Sequence, residues 1–370
     1  MKHLYSRMVP LSGTYVETYF AGANTARGFV SAYPSMIREG DFSRVYILKG
    51  GSGTGKSSFM KACAARAETA GASVTLLLCS SDPTSADAVI LTGKDGRRIA
   101  ILDGTAPHTA DPALPGAVGE ILNLGQFWRP ETLIGARAEI AQGNAKKRAA
   151  YARTYRYLAA YGEITSASRE LLADCLLHEK MQAAAKRLLS AFPRGGGYSE
   201  EIRYTSAVSM KGMFRLGTFS HLAASRFTVA DAYGCAPFFL DAVRKAAAER
   251  HCPTLIAPAP GETETPLELY LPDAHVSVCS VSAGLACEET ESAHTVNMQR
   301  FIDRRALAAC RVRLRFADRC REMLMEGALE ALAEADSAHF ALEEIYKSAM
   351  DFDGVRQLRE EIAAQILRTL

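Results

Sequence analysis

Hydrophobic residues along this chain fall into two regimes. Short apolar runs at Val45–Leu48, Ala72–Cys79 and Arg98–Asp103 are bounded by glycine, serine, proline or aspartate, the pattern of buried strands. The segment from about Lys56 through Ala70 reads as a helix following the first run. Between Pro130 and Leu189, apolar positions recur at helical spacing and predict two helices hinged near Gly162, with a flexible break at Gly195–Gly197. From Thr295 to Leu370 the chain again predicts helices. Phe301, Leu307, Val312 and Phe316 form one stripe, Leu342, Ile345, Val355, Leu358, Ile362 and Ile366 continue it, and Gly354 is expected to break the last helix. Strand, helix, strand and strand at these intervals predict an α/β fold, a mainly parallel sheet flanked by helices that collects ligand-binding groups at the carboxyl ends of its strands.

The first apolar run ends in Gly50, Gly51, Ser52, Gly53, Thr54, Gly55, Lys56, Ser57 and Ser58, the spacing of a Walker A phosphate loop. Glycines there permit positive φ and close approach of bare backbone, so that successive N–H groups converge on an anion. The following helix adds the positive end of its dipole, Lys56 reaches terminal phosphates, and Ser57 offers a hard oxygen to Mg²⁺. The third run ends in Asp103, a Walker B pattern that places a second Mg²⁺ ligand on the same sheet edge. Asp82, after the second strand, either orients the attacking water or caps Thr84 in an Asp-Pro turn. His108 either senses the terminal phosphate or occupies a surface turn, and no glutamate follows Asp103 to activate water. Trp128, the single tryptophan, is expected in the core.

The chain has 370 residues, 48% hydrophobic and 23% charged, enough for about two domains with buried cores. Its formal net charge of +2 provides no overall field for nucleic acid or an anionic membrane. Nine cysteines without a Cys-x-x-Cys pair argue against a disulfide framework and for a reduced cytoplasm. Met1 to Met8 lacks the apolar core of a signal peptide, and no run approaches the length of a membrane span. The expected location is therefore cytoplasmic, without a membrane partner.

A constant offset of 184 pairs Phe20–Gly28 with Tyr204–Gly212, Val45 with Val229, Gly50 with Gly234, Lys61 with Lys245 and Arg66 with Arg250. On Phe20–Gly28, Tyr46–Ser58, Cys79–Pro83, Asp103–His108 and Asn123–Gly125, the chain resembles a little-characterised family of bacterial ATPase-like proteins with two P-loop NTPase halves in tandem. That resemblance spans most of residues 15 to 290 and implies ATP binding and hydrolysis without defining a substrate. In the second half the register that holds Gly55, Lys56 and Ser57 holds Phe239, Leu240 and Asp241, and Pro237 replaces a cradling N–H. One nucleotide site per chain is expected. The organisation expected is a P-loop domain over 1–130, a helical insertion and linker over 131–197, a degenerate P-loop-like half over 198–294 and C-terminal helices over 295–370.

The expected function is Mg²⁺-dependent ATP binding and slow hydrolysis, with conformational switching as output. The absence of an Asn-Lys-x-Asp signature leans towards ATP over GTP. Two rivals remain: a small-molecule kinase with Asp82 as base, and a nucleotide-gated nucleic-acid-binding module. The latter would use Lys146, Lys147, Arg148 and the tyrosines from Tyr151 to Tyr161, residues that also suit a lid supplying a cation to the terminal phosphate or a solvated helix face.

Overall fold

The computed structural model describes residues 16–281 and 294–370; Met1 to Met8 lies outside the described residues. The chain passes through β1 (Glu17–Phe20), a hairpin of β2 (Gly22–Thr25) and β3 (Gly28–Ser31), β4 (Arg44–Lys49) and α1 (Lys56–Thr69). It continues through β5 (Ser73–Leu78), β6 (Ala86–Thr92), β7 (Arg98–Asp103) and β8 (Gly119–Asn123). All of these strands except the β2–β3 hairpin form a six-stranded sheet in the order β1-β5-β6-β7-β4-β8. Strand β4 lies parallel to both neighbours, with Leu48 opposite Asp103 and Lys49 opposite Asn123. The sheet is not parallel throughout, because β6 runs against β5 and β7. Its tight entry explains this: Ser85 N donates to Asp82 O at 2.9 Å, and Cys79 N to Ser85 O at 2.9 Å, reversing the chain with no room for a crossover helix.

Two helices, α2 (Arg137–Ala173) and α3 (His178–Ser190), lead to the second half. There β9 (Glu200–Ile202) and the hairpin β10 (Ser206–Ser209) and β11 (Gly212–Arg215) precede β12 (Ser225–Ala230), α4 (Ala236–Glu249), β13 (Thr254–Pro258), β14 (Pro266–Leu271), β15 (Val276–Val281) and β16 (His294–Asn297). The second sheet has the order β16-β12-β15-β14-β13-β9. Strand for strand, this is the order of the first sheet, with the same parallel and antiparallel pairings. Even the hairpin turns agree: Thr25 Oγ1 donates to Gly28 O at 2.7 Å, and Ser209 Oγ to Gly212 O at 3.0 Å.

The chain ends in α5 (Arg304–Ser348) and α6 (Phe352–Thr369). Helices α2 and α5 lie antiparallel, since a Cβ on Gly143 would meet Leu342 whereas one on Gly327 would meet Tyr157. Contacts between the halves come in reciprocal pairs. Arg129 N donates to Ala349 O and Asp303 N to Cys175 O, both at 2.8 Å, and the isolated bridges Trp128–Met350 and Leu176–Ile302 repeat the same relation. Phe20 N donates to Tyr204 O at 2.7 Å and Asn24 Nδ2 to Val208 O at 3.0 Å, each joining residues 184 apart. Residue i meeting the counterpart of j while j meets the counterpart of i is the contact rule of a two-fold axis.

This arrangement exchanges the helical arms. Helix α3 buries Met181, Ala185 and Leu189 with Phe239 and Leu240 of α4 in the second core. Helix α6 buries Val355, Ile362, Ala363 and Ile366 with Phe59 and Met60 of α1 in the first core. The C-terminal helices therefore divide between the halves, and the buried stripe at the start of α5 is Leu307, Cys310 and Leu314, whereas Val312 and Phe316 face outward. Gly162 makes no hinge: α2 runs through it unbroken, held along its length by α5. Gly354 lies in the first turn of α6, where Asp351 Oδ1 accepts from Asp353 N at 3.0 Å and Gly354 N at 3.1 Å.

Ile362 is 2% exposed between α6 and the first core, so Ile362→Ala is expected to cost about 2–5 kcal/mol of unfolding free energy in a urea titration. Val312→Ala, at a side chain 80% exposed, should stay within about 0.5 kcal/mol of the parent.

Candidate functional site

The turn after β4 occupies Gly50–Gly55 and opens directly into α1. Gly53 (φ 72°) and Gly55 (φ 83°) adopt left-handed backbone that a side chain would strain. Thr54 Oγ1 closes the turn by donating to Gly51 O at 3.0 Å. Among the described residues, no backbone or side-chain acceptor takes the amide N–H groups from Ser52 to Ser58. At the N-terminus of a 14-residue helix, this run of unclaimed donors has the character of an anion nest.

Around it the structure brings together three of the residues expected from sequence. Lys56 Nζ donates to Gly50 O and Gly51 O, both at 2.8 Å, and lies 3.5 Å from Asp103 Oδ2. Asp103 Oδ1 accepts from Thr105 N at 2.8 Å and Thr105 Oγ1 at 2.5 Å. Burial raises the Asp103 carboxyl above its ordinary pKa, against the opposing pull of Lys56 and Thr105 and with added repulsion from Asp87. Ser57 Oγ accepts from Ala86 N at 2.9 Å and keeps its own proton and a lone pair for another partner. Ser57 and Asp103 offer the hard oxygens that suit Mg²⁺, which commonly keeps several waters. No cluster of three or more His, Cys, Asp or Glu suited to a metal occurs among the described residues.

Asp82 and His108 are committed elsewhere. Asp82 Oδ1 accepts from Thr84 N at 3.2 Å, from Thr84 Oγ1 at 2.7 Å and from Lys211 Nζ at 2.8 Å, tying the turn to the second half. Burial disfavours its charge, but Lys211 and Thr84 outweigh that and lower its pKa. The His108 ring has Nε2 3.0 Å from Asp87 Oδ2 and Nδ1 3.3 Å from Ser31 Oγ. It stacks on Tyr33 and makes a T-shaped contact with Phe29, so both nitrogens have partners and the ring is packed between aromatics.

Sequence reasoning missed what covers the loop. Ser52 Oγ lies 3.5 Å from His339 Nδ1 on α5, and a Cβ on Gly53 would sit 2.8 Å from Glu343 O. One on Gly51 would meet Trp128 and Tyr346, and one on Gly55 would meet Phe352. Trp128 is thus half-buried against the loop as well as the first core. Tyr151 donates to Ser81 Oγ at 3.0 Å and Tyr155 to Asn24 Oδ1 at 3.2 Å, which turns these two tyrosines of α2 inward, away from a nucleic-acid platform.

The corresponding turn of the second half is closed. The offset of 184 does not persist past the hairpins, because β12 begins 181 residues after β4 and α4 begins 180 residues after α1. The connection is one residue shorter, five residues against six, so the gap-free alignment of Lys56 with Leu240 does not hold through the helix. Asp231 Oδ1 accepts from Tyr233 N at 3.0 Å and Gly234 N at 3.1 Å, and Oδ2 from Ala236 N at 2.6 Å. A carboxylate of the chain itself fills the place of an anion, and Pro237 removes a donor from the first helical turn.

No helix is long and apolar enough to cross a membrane among the described residues, and no disulfide joins the eight described cysteines. No family model matches the chain, and no curated protein or solved structure matches it.

Because the folded-state pKa of Asp103 is raised, its ionised form costs stability. That cost is absent below the unfolded value of about 3.9 and grows as pH rises through the folded value. Asp103→Asn, which preserves an acceptor for Thr105, should therefore raise the thermal midpoint of the ligand-free protein at pH 7, with the gain vanishing below about pH 4.

Proposed function

We propose that this chain binds ATP with Mg²⁺ at a single P-loop site, hydrolyses it slowly and serves as a nucleotide-driven switch, its halves being two copies of one P-loop unit of which only the first retains a competent loop. The observation that carries this reading is the contrast between the two helix N-termini. The amides from Ser52 to Ser58 are unclaimed among the described residues, whereas the matching turn is satisfied by Asp231.

In this reading the loop amides bind the phosphate chain, and Lys56 exchanges the carbonyls of Gly50 and Gly51 for phosphate oxygens. Ser57 and Asp103 would hold Mg²⁺, which supplies charge neutralisation at the bridging phosphate oxygens. Slow turnover follows from the commitments of the two water-activating candidates, Asp82 to Lys211 and His108 to Asp87. The switch follows from the cover: the end of α5 lies on Gly53, so phosphates entering the nest press on a helix that begins in the second core.

Calorimetric titration with a non-hydrolysable ATP analogue and Mg²⁺ should give one nucleotide per chain. Lys56→Ala should weaken binding about 10- to 150-fold, the worth of a charge-assisted hydrogen bond. Two nucleotides per chain, or affinity unchanged in Lys56→Ala, would sink the proposal.

A further inference from the structure

Three basic side chains converge on the loop after β4 from three elements: Lys56 on α1, Lys147 on α2 and His339 on α5. The antiparallel contact of Gly143 with Leu342 fixes this geometry, because Lys147 lies one turn beyond it on α2 and His339 about one turn before it on α5. His339 Nδ1 is 3.5 Å from Ser52 Oγ, while its Nε2 is 3.8 Å from Glu343 Oε1. Burial lowers the pKa of Lys147, and the Lys56 charge lowers it further. Burial likewise lowers that of His339, and Lys147 adds to the effect. Glu343 and Asp336 on α5 and Asp82 after β5 act in the opposite direction on His339. Two of these acids are already engaged, Glu343 by Lys347 at 3.2 Å and Asp82 by Lys211 at 2.8 Å.

His339 is accordingly neutral near pH 7 in the ligand-free protein. A multiply charged anion placed beside Lys56 and Lys147 reverses that balance, because it attracts the same proton that the two ammonium groups repel. Resting on the ATP-site reading above, we propose that His339, supported by Lys147, contacts the terminal phosphate of the nucleotide, taking up one solvent proton as the triphosphate enters and donating a hydrogen bond to a terminal oxygen. The arm that begins in the second half thereby distinguishes triphosphate from diphosphate. Lys56 gives the nest affinity for both.

The test is calorimetry on the full chain at pH 7 with Mg²⁺, comparing a non-hydrolysable ATP analogue with ADP in two buffers of different ionisation enthalpy. The parent is expected to take up as much as about one proton per triphosphate and clearly less with ADP. His339→Gln should abolish that uptake and weaken triphosphate binding about 10-fold or more, with ADP affinity unchanged. Lys147→Met, which removes the repulsion on His339, should move the pH of greatest uptake upward and provides an independent check should His339→Gln fail to fold. Uptake that persists in His339→Gln, or an equal loss for both nucleotides, overturns the assignment. Binding without proton uptake in the parent overturns it alone, whereas no binding of either nucleotide overturns the ATP-site reading with it.

Discussion

Everything in this molecule depends on covering the apolar surface of each sheet's first helix, and each half relies on the other to do it. A sheet with one exposed apolar face is unstable in water, so a layer must close over it. In the first half that layer includes Ile362, Ala363 and Ile366 of α6, at the far end of the sequence. In the second it includes Met181, Ala185 and Leu189 of α3, which follow the first sheet in the chain. Exchange of arms welds the halves, because withdrawing either arm exposes the core of the half it covers. The reciprocal bonds of Arg129 with Ala349 and Asp303 with Cys175 set the angle at which each arm arrives.

The two helix N-termini show one physical demand met in two ways. Each begins with amides that lack intrahelical acceptors. In α4 the shortened turn lets Asp231 bend back to Tyr233, Gly234 and Ala236, giving a self-contained cap. The turn before α1 contains no carboxylate to bend back, and Gly53 and Gly55 take left-handed backbone with Glu343, Lys347 and Phe352 packed close to them. Asp103, at the end of the neighbouring strand, is drawn to Lys56 and Thr105 instead. The aspartate that follows β12, where glycines follow β4, therefore lets the second turn satisfy itself.

Strands β4, β5 and β7 and the loop between β4 and α1 were legible because their signals are local: unbroken apolar runs, glycine spacing and a terminal aspartate. Strand β6 was not, since Ala86 to Thr92 carries Asp87 within the run and follows a tight turn rather than a helix. The offset of 184 was readable over Phe20–Gly28, where the hairpin turns do match. It misled in the helix because the offset falls to 181 at β12 and to 180 at α4, something a gap-free comparison does not register. The positions of His339 and Phe352 at the loop had no local signal at all; they follow from the destination of α5, which is a property of packing. Val312 and Phe316 fit a helical stripe in sequence, yet the face buried is that of Leu307, Cys310 and Leu314. Periodicity identifies a helix more securely than the side it presents.

The length of α5 gives the exchange of arms a mechanical meaning. From Leu307 in the second core to Glu343 over the phosphate loop, an unbroken α-helix extends about 54 Å at 1.5 Å per residue. Bending such a helix requires a proline, a π-bulge or a loosened hydrogen-bond ladder, and its sequence contains no proline. Helix α2 runs beside it in the opposite direction, and Leu158 packs with Met325, Ala328 and Leu332 at their crossing. On the proposed switch, a displacement of the α5 end by about the width of a phosphate would move the rod as a body along α2, or break the cap where Asp303 Oδ1 accepts from Arg305 N at 2.8 Å. On that reading, either response would carry the loading of the first half into the second, whose own turn is sealed by Asp231.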